Sequence, residues 1–251
     1  MEIMVRIEGI TKRYGQRTAV SDLNLEVKKG EFFGYLGPNG SGKTTTIKAM
    51  IGLVRPDKGR VLIGGHDVAK EPIEVRKMIG FIPDTPFLYG KLTAREFLRF
   101  VGGLYRMERE DMENRIAWLS DVFDMHGWID RRTEGYSHGM KQKVVMAAAF
   151  LHRPELIIVD EPLVGLDPQS ARLVKDLLTL VNGHGVTVFM SSHDLSVVEE
   201  LCRRMAIIYE GKVVAEGTMD DLRGKAQMEG GSLEDLFLKL TGNSRRITYM
   251  E

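Results

Sequence analysis

The stretch from residue 37 to residue 44 limits the possible folds more than any other part of the chain. It has a glycine, four free positions and then Gly-Lys-Thr, the pattern of loops that bind nucleotide phosphates. The apolar run at 32–36 predicts a buried strand before it, and apolar residues at helical spacing predict a helix from Thr44 to Leu53 after it. Because the loop then lies between a strand and a helix N-terminus, its backbone N–H groups can surround an anion.

The loop predicts a site for a nucleotide and a divalent cation. Lys43 would reach the β and γ phosphates, and the hydroxyl of Thr44 would bind Mg2+, which prefers oxygen ligands. The predicted nucleotide-binding residues of this stretch are Gly37, Pro38, Asn39, Gly40, Ser41, Gly42, Lys43, Thr44 and Thr45. The loop alone does not separate kinases, GTPases, motor ATPases and transporter ATPases, which all share it.

Composition restricts the partners and the compartment. The 251 residues fit one large domain, or one domain with a smaller lobe. Lys plus Arg and Asp plus Glu both number 35, so no net field attracts nucleic acid or anionic lipid, and no nucleic acid partner is expected. With no signal peptide and no apolar run near the roughly 18 residues of a membrane span, we expect a cytoplasmic chain. The single cysteine, Cys202, excludes an internal disulfide and is expected to be buried.

The order of predicted elements indicates an α/β fold with a mostly parallel sheet. Alternating segments from Met4 to Val27 indicate a small N-terminal antiparallel sheet. Strands and helices alternate again from Leu156 to Cys202, which places helices on both faces of a parallel sheet. Residues 205–214 predict a closing hairpin.

Between these parts, residues from about 85 to 151 show a helical pattern and predict an inserted helical lobe. Its first helix begins with a capping box at Thr93 and Glu96. The apolar residues expected on the inner face of that helix are Phe97, Phe100, Val101 and Leu104.

An acidic pair follows the buried strand at 156–159, at the edge where open α/β sheets bind ligands. Asp160 would hold Mg2+, and Glu161 could polarise the water that attacks the γ-phosphate. Helix capping is the alternative role for such a pair, and the presence of the phosphate-binding loop favours the chemical one. Tyr14, on a predicted loop, could stack on a purine or serve only in packing.

Further segments, in order, complete a resemblance. The chain is similar to the nucleotide-binding subunit of ABC transporters from about Val5 to Leu222. The matching segments are Phe81-Ile82-Pro83-Asp84 at the glutamine loop, Tyr136-Ser137-His138-Gly139-Met140-Lys141-Gln142 at the signature, Gly165-Leu166-Asp167-Pro168 at the aspartate loop and Ser191-Ser192-His193-Asp194 at the histidine switch.

The resemblance implies a P-loop NTPase with a RecA-like core, which binds ATP and Mg2+ and hydrolyses ATP. Two copies would pair head to tail, as a homodimer or with a similar subunit, so that each ATP lies between one loop and the partner's signature. Ser137 and Gly139 would then bind the γ-phosphate across the interface from a helix N-terminus. By the same resemblance, Asp167 would lie at the dimer seam, His193 would contact the γ-phosphate of its own ATP, and Tyr14 would stack on adenine.

Two residues depart from the family pattern. Asp84 stands where glutamine is usual; its carboxylate could bind Mg2+ or, if unpaired, repel ATP, and we predict the first. His138 replaces a signature glycine and is included among the nucleotide-binding residues. It could tune turnover between about pH 6 and 8, or simply face solvent at a helix start.

The resemblance also implies a polytopic membrane permease as partner, and hence a peripheral position on the inner face of the cell membrane. The apolar residues Phe87, Leu88, Tyr89 and Leu92 would either dock this permease or pack between the lobes. The signature, the Pro83-Asp84 variant and the tail segment 232–237 resemble exporters of the ABC-2 type. The expected division is an ATP-binding domain at 1–225 and a short C-terminal tail at 226–251. A soluble ABC ATPase acting on ribosomes or DNA is the alternative function.

Overall fold

The computed structural model describes residues 2–161, 163, 166–228 and 230–242. Gly165 of the aspartate loop and residues 243–251 of the tail therefore lie outside the described part of the chain. The elements are, in chain order, β1 (Ile3–Tyr14), β2 (Arg17–Lys28), β3 (Phe32–Leu36), α1 (Lys43–Met50), β4 (Lys58–Ile63), β5 (His66–Asp67), α2 (Pro72–Met78), β6 (Ile79–Ile82), α3 (Ala94–Leu104), α4 (Arg109–Val122), α5 (His138–Phe150), β7 (Leu156–Asp160), α6 (Pro168–Gly183), β8 (Thr187–Ser192), α7 (Leu195–Leu201), β9 (Arg204–Tyr209), β10 (Lys212–Gly217), α8 (Met219–Ala226) and α9 (Leu233–Leu240).

A six-stranded sheet forms the centre, in the order β10-β9-β3-β8-β7-β6. All its neighbouring strands are parallel except β9 and β10, which form the predicted antiparallel hairpin. β3 is central, and one strand, β8, separates it from β7. The phosphate-binding loop after β3 and the acidic pair at the end of β7 therefore lie at the same edge of the sheet.

Both faces of this sheet are buried, as the continuous apolar runs predict. Alternate residues of β3 enter different cores: Phe32 and Leu36 pack toward the helical lobe and helices α6 to α9, whereas Phe33 and Tyr35 pack toward the second sheet. That second sheet is the predicted N-terminal antiparallel one, in the order β2-β1-β4-β5. The P-loop NTPase architecture, with its mostly parallel core and antiparallel sheet, is thus confirmed.

Helices α3, α4 and α5 lie between β6 and β7 in the chain and form the helical lobe. The capping box at Thr93 and Glu96 is present at the start of α3. The predicted inner face of this helix is wrong in part, because Phe100 and Leu104 are exposed by 45% and 67%. Ala94, Leu98 and Gly102 are buried instead, since small residues let the helix approach its neighbours; a Cβ at Gly102 would lie 2.4 Å from Met112 Sδ.

Three other details differ from the sequence prediction. Tyr14 is the last residue of β1 rather than a loop residue. The segment before β6 forms the helix α2, which the sequence pattern did not indicate because Val75 is its one buried side chain. Residues within the predicted tail form α9, whose Leu233 and Leu236 are buried.

Cys202 is buried and free, as predicted. Within the described residues no helix is long and apolar enough to cross a membrane.

Candidate nucleotide site

A cleft of about 460 Å³ opens at the carboxyl edge of the central sheet, beside the loop that follows β3. It brings together residues from β1, β2, the loop, α1, the end of β7 and the segment after β6. Its lining residues are Tyr14, Arg17, Ala19, Pro38, Asn39, Gly40, Gly42, Lys43, Thr44, Thr45, Asp84, Asp160 and Glu161.

Two glycines allow the loop to fold back tightly. A Cβ at Gly37 would lie 2.4 Å from the carbonyl oxygen of Ile208, and one at Gly42 would lie 2.6 Å from that of Ala19. Gly42 also has a φ of 114°, which side chains rarely allow. The loop therefore packs against β9 and β2 at distances that only glycine permits.

The loop has the donors that a phosphate group needs. Lys43 is almost fully buried, and its Nζ donates to the carbonyl oxygens of Gly37 at 2.7 Å and Pro38 at 3.4 Å. The N-terminus of α1 has no side-chain cap at Gly42, so backbone N–H groups of its first turn are not capped. The hydroxyl of Ser41 is buried without a hydrogen-bond partner among the described residues. This combination fits a phosphate chain at a helix N-terminus.

Oxygen ligands for a cation meet at the same place. Asp160 ends β7 and is buried, and it accepts hydrogen bonds from the Ser191 hydroxyl at 2.5 Å and from the Thr44 hydroxyl. Burial raises the pKa of Asp160. The two hydrogen bonds lower this pKa by a smaller amount, and the nearby charge of Asp84 raises it slightly. Thr44, Asp84 and Asp160 thus supply hydroxyl and carboxylate oxygens, which fit Mg2+.

These oxygens form only part of a coordination sphere. Among the residues that the structure describes, no group of three or more His, Cys, Asp or Glu could hold a metal ion. Mg2+ in nucleotide sites is usually bound by one or two protein groups together with phosphate oxygens and water. The donor set in the cleft therefore fits a cation that arrives with its nucleotide.

Glu161 connects three segments of the chain. Its Oε1 lies 3.5 Å from Lys43 Nζ, and its Oε2 lies 2.7 Å from His193 Nδ1 and accepts from the His193 backbone N–H at 3.3 Å. Its backbone is left-handed, with a φ of 53°, and its N–H donates to the Ser191 carbonyl oxygen. A carboxylate held between a loop lysine and a histidine can accept a proton from a water molecule beside the phosphates.

Tyr14 borders the cleft and is 49% exposed, as a residue that stacks on a base requires. Sequence reasoning missed its neighbour Arg17, which begins β2 and donates from Nη2 to the Gly40 carbonyl oxygen at 3.3 Å. The available signal was a basic residue shortly after Tyr14, on the far side of the turn at Gly15. Ala19, which also lines the cleft, gave no signal.

Apart from Gly37 and Ser41 of the loop itself, four predicted nucleotide-binding residues do not line this cleft. Ser137 caps α5 by accepting a hydrogen bond from the Met140 N–H. His138 is exposed, and a Cβ added at Gly139 would meet no atom within 4 Å. Asp167 caps α6, and hydrogen bonds from Ser170 lower the pKa of its carboxyl. The chain thus presents these residues at the starts of two helices, outside its own cleft.

An exposed aromatic surface lies at the start of the helical lobe. Phe87 and Tyr89 are exposed by 73% and 48%, and the ring of Tyr89 makes edge contacts with those of Phe87 and Phe100. Only Leu88 of this segment packs against the core beneath. Packing between the lobes therefore does not account for Phe87, whereas Tyr89 is half-exposed and also contacts Phe97, which packs against the core.

Comparisons with known proteins agree with this geometry. The profile of the ABC transporter family matches residues 20–164. The linearmycin resistance ATP-binding protein LnrL of Bacillus subtilis is 41% identical over 219 residues, which cover 87% of this chain and 70% of that protein. The bacitracin transport ATP-binding protein BcrA of Bacillus licheniformis is 37% identical over 224 residues, covering 89% and 72%.

Two solved structures are similar to this chain over most of their length. An ATP-binding subunit of an ABC transporter superposes with a TM-score of 0.90 at 34% identity, covering 95% of this chain and 99% of the other. The dimeric cassette MJ0796 in a post-hydrolysis state, bound to ADP and Pi, superposes with a TM-score of 0.79 at 28% identity, covering 86% and 99%.

Proposed function

The chain belongs to the ABC transporter family as an ATP-binding and ATP-hydrolysing subunit, and we propose that it powers an exporter of the ABC-2 type through a separate membrane permease. One observation supports its catalytic competence most directly: Glu161 lies between Lys43 at 3.5 Å and His193 at 2.7 Å, beside the phosphate-binding loop. The cassette would occupy residues 1–225, followed by the tail at 226–251.

We assign the following roles in ATP binding. The backbone of 37–42, with Lys43 and Thr45, holds the phosphates, while Tyr14 stacks on adenine and Arg17 supports the loop. Thr44, Asp84 and Asp160 hold Mg2+, which when bound offsets the negative charge on the phosphate oxygens. The buried hydrogen bond from Ser191 fixes the Asp160 carboxylate in the orientation that this role needs.

In hydrolysis, Glu161 acts as the general base that polarises the attacking water. His193 donates through its backbone N–H to Glu161 and meets the same carboxylate through Nδ1, which leaves Nε2 to contact the γ-phosphate. Lys43 stabilises the charge that develops on the transferred phosphoryl group. We assign the reaction to these three side chains because each would contact the phosphates or the water.

The second half of each ATP site comes from a partner cassette in this proposal. Ser137, His138 and Gly139 lie at the start of α5, outside the chain's own cleft, and Asp167 lies at the start of α6. Their exposure supports contact with ATP held by another copy or by a similar subunit, in a head-to-tail dimer. The dimeric form of the cassette MJ0796 is consistent with such pairing.

The aromatic surface of Phe87, Tyr89 and Phe100 is the proposed docking site for the permease. Exposed aromatic clusters of this kind mark protein interfaces. The names of LnrL and BcrA, which refer to linearmycin resistance and bacitracin transport, support export as the direction. Docking would hold the cassette at the inner face of the cell membrane.

Affinity purification of the tagged full chain from gently solubilised membranes tests the proposal. We expect recovery of a polytopic membrane protein, and loss of that protein when Phe87 and Tyr89 are both changed to Ser. Ile73→Ser, at another exposed apolar residue, is the matched control. Recovery of ribosomes or nucleic acid without any membrane protein would overturn the transporter role.

A further inference from the structure

A second cleft, the lobe cleft, lies at the opposite edge of the central sheet from the nucleotide cleft. It has a volume of about 400 Å³ and borders Ile157 near the start of β7, Val186 just before β8, and the end of α6. Its other wall comes from α4 and α5 of the helical lobe. The volume falls within the range of roughly 300–1,000 Å³ typical of small-molecule sites.

The walls of the lobe cleft are mainly apolar and remain open to solvent. Leu180 of α6 is 51% exposed, and Trp118 of α4 is 37% exposed. Phe150 and Ile157 form the floor between them. A ligand with an apolar body would remove these surfaces from water and gain free energy in proportion to the apolar area buried.

One positive charge in this cleft, that of Arg115, forms no ion pair of its own within the described part of the chain. The guanidinium of Arg115 lies 4.5 Å from the Trp118 ring centre and donates to the carbonyl oxygens of Phe150 at 2.8 Å and Leu151 at 3.4 Å. The neighbouring Arg153 binds both oxygens of Asp111, at 2.6 and 3.1 Å.

Two guanidinium groups therefore share one carboxylate. Burial, with a smaller contribution from the charge of Arg153, lowers the pKa of Arg115, and the charge of Asp111 opposes this shift only in part. Partly buried charge that is not neutralised costs free energy, and an anion placed beside it recovers part of that cost.

We propose that the lobe cleft binds an amphipathic monoanion, a carboxylate with an apolar chain. The apolar chain of the ligand would lie between Trp118 and Leu180 on the apolar floor, and its carboxylate would bind the guanidinium of Arg115. Such a ligand matches both the apolar walls and the excess positive charge that Arg115 and Arg153 keep beside the one carboxylate of Asp111. It would contact the helical lobe and the core at the same time, far from the nucleotide cleft.

Trp118 provides a direct readout of binding. The chain has two tryptophans, so a Trp128→Phe variant leaves Trp118 as the only indole. Titration of this full-length variant with decanoate is expected to change the Trp118 fluorescence with a saturable curve. Affinity should rise about fourfold for each methylene from octanoate through nonanoate to decanoate, because each adds one buried CH₂. Decan-1-ol, which has no charge, should bind at least about tenfold more weakly than decanoate.

A substitution in the wall tests the location. Leu180→Asp, at a half-exposed position, is expected to weaken decanoate binding by at least about tenfold while the protein keeps its melting temperature within a few degrees. Leu53→Asp, at a leucine exposed by 65% on another surface, is the matched control and should leave the affinity unchanged.

Three results would overturn the proposal. The first is a fluorescence change that never saturates, and the second is equal affinity for decanoate and decan-1-ol. The third is a Leu180→Asp variant that binds decanoate normally but shows altered self-association in sedimentation. That result would identify the lobe cleft as a contact between copies of the chain instead.

Discussion

The nucleotide cleft and the N-terminal end of α5 differ in how their polar groups are held. In the cleft, Asp160 and Ser191 are buried and bonded to each other across neighbouring strands, and Glu161 reaches both Lys43 and His193. At the start of α5 the bonds of Ser137 are local: its hydroxyl accepts from the Met140 N–H and its carbonyl oxygen accepts from the Lys141 N–H. The first region is organised by contacts between distant segments, and the second is a short exposed motif.

In our proposal, this difference explains how one chain holds only half of an ATP site. Tertiary contacts fix the side chains to which we assign catalytic roles within a single subunit. The exposed end of α5 gains its contacts only from another molecule, which in our proposal is the partner cassette with its ATP. Changes in the two regions should therefore have separable effects. Three experiments test that separation and a fourth tests the opposite end of α5, in order of decreasing effect.

The largest effect is expected from Glu161→Gln, which keeps the shape of the side chain but removes the proton acceptor. Turnover of the transporter complex should fall by about 1,000-fold, while ATP affinity stays within a factor of about three. Steady-state hydrolysis and binding of labelled ATP measure the two quantities. Glu74→Gln, at an exposed glutamate of α2, is the control. A Glu161→Gln enzyme that still turns over at half the normal rate would contradict the assignment of this base.

The next largest effect is expected on stability, from His152 at the C-terminal end of α5. His152 follows this helix, stacks on Tyr105 with ring centres 3.7 Å apart and is bonded through Nε2 to the Ile79 carbonyl oxygen. Burial lowers its pKa to about 4 from 6.5. Between pH 6.5 and 4 the unfolded chain therefore binds a proton that the folded chain does not, and the free energy of unfolding falls as the pH falls.

We expect this group to cost up to about 3 kcal/mol of stability at pH 4, and nothing above pH 6.5. Urea unfolding of His152→Gln should show a smaller loss between these pH values than the natural chain. His126→Gln, at an exposed histidine paired with Asp121, should change the curve little. Identical pH profiles for the natural chain and His152→Gln would show that His152 is protonated without cost.

A smaller effect tests the exposed end of α5 directly. The Cβ position of Gly139 has open space around it, so Gly139→Asp should fold normally and bind ATP as a single chain. In the dimer the new carboxylate would repel the partner's γ-phosphate, and turnover should fall by about 100-fold. Gly135→Asp, at another glycine with open space, is the control. If both variants hydrolyse ATP equally well, the start of α5 does not approach a phosphate.

The smallest effect is expected at Asp84. Asp84→Asn removes one carboxylate near Asp160, and Mg2+ affinity of the ADP-bound chain should fall by about tenfold. Titration of Mg2+ against a fluorescent ADP analogue measures this affinity without hydrolysis. Asp220→Asn, at an exposed aspartate of α8, is the control. Unchanged Mg2+ affinity and turnover in Asp84→Asn would mean that this carboxylate is not a ligand.

Local chemistry made much of the molecule predictable from its sequence. The strand, loop and α1 around Lys43, the strand ending at Asp160 and the capping box at Thr93 all depend on neighbouring residues, so their patterns are visible in the chain. The alternation of strands and helices likewise predicted the parallel sheet, because such connections require it. The family resemblance likewise depended on short motifs, namely the phosphate-binding loop, the acidic pair and the four ordered segments that match the family.

Tertiary structure alone decided the rest. Glu161 contacts Lys43 and His193, and Arg17 lies beside Gly40. These contacts join separate segments of the chain, and the spacing of the segments in the sequence does not reveal how far apart they lie in space. The outward turn of Phe100 depends on which face of α3 can approach its neighbours closely, which helical spacing does not specify. Local propensity acts within a few residues, whereas these positions are set by packing between elements, and only the assembled fold contains that information.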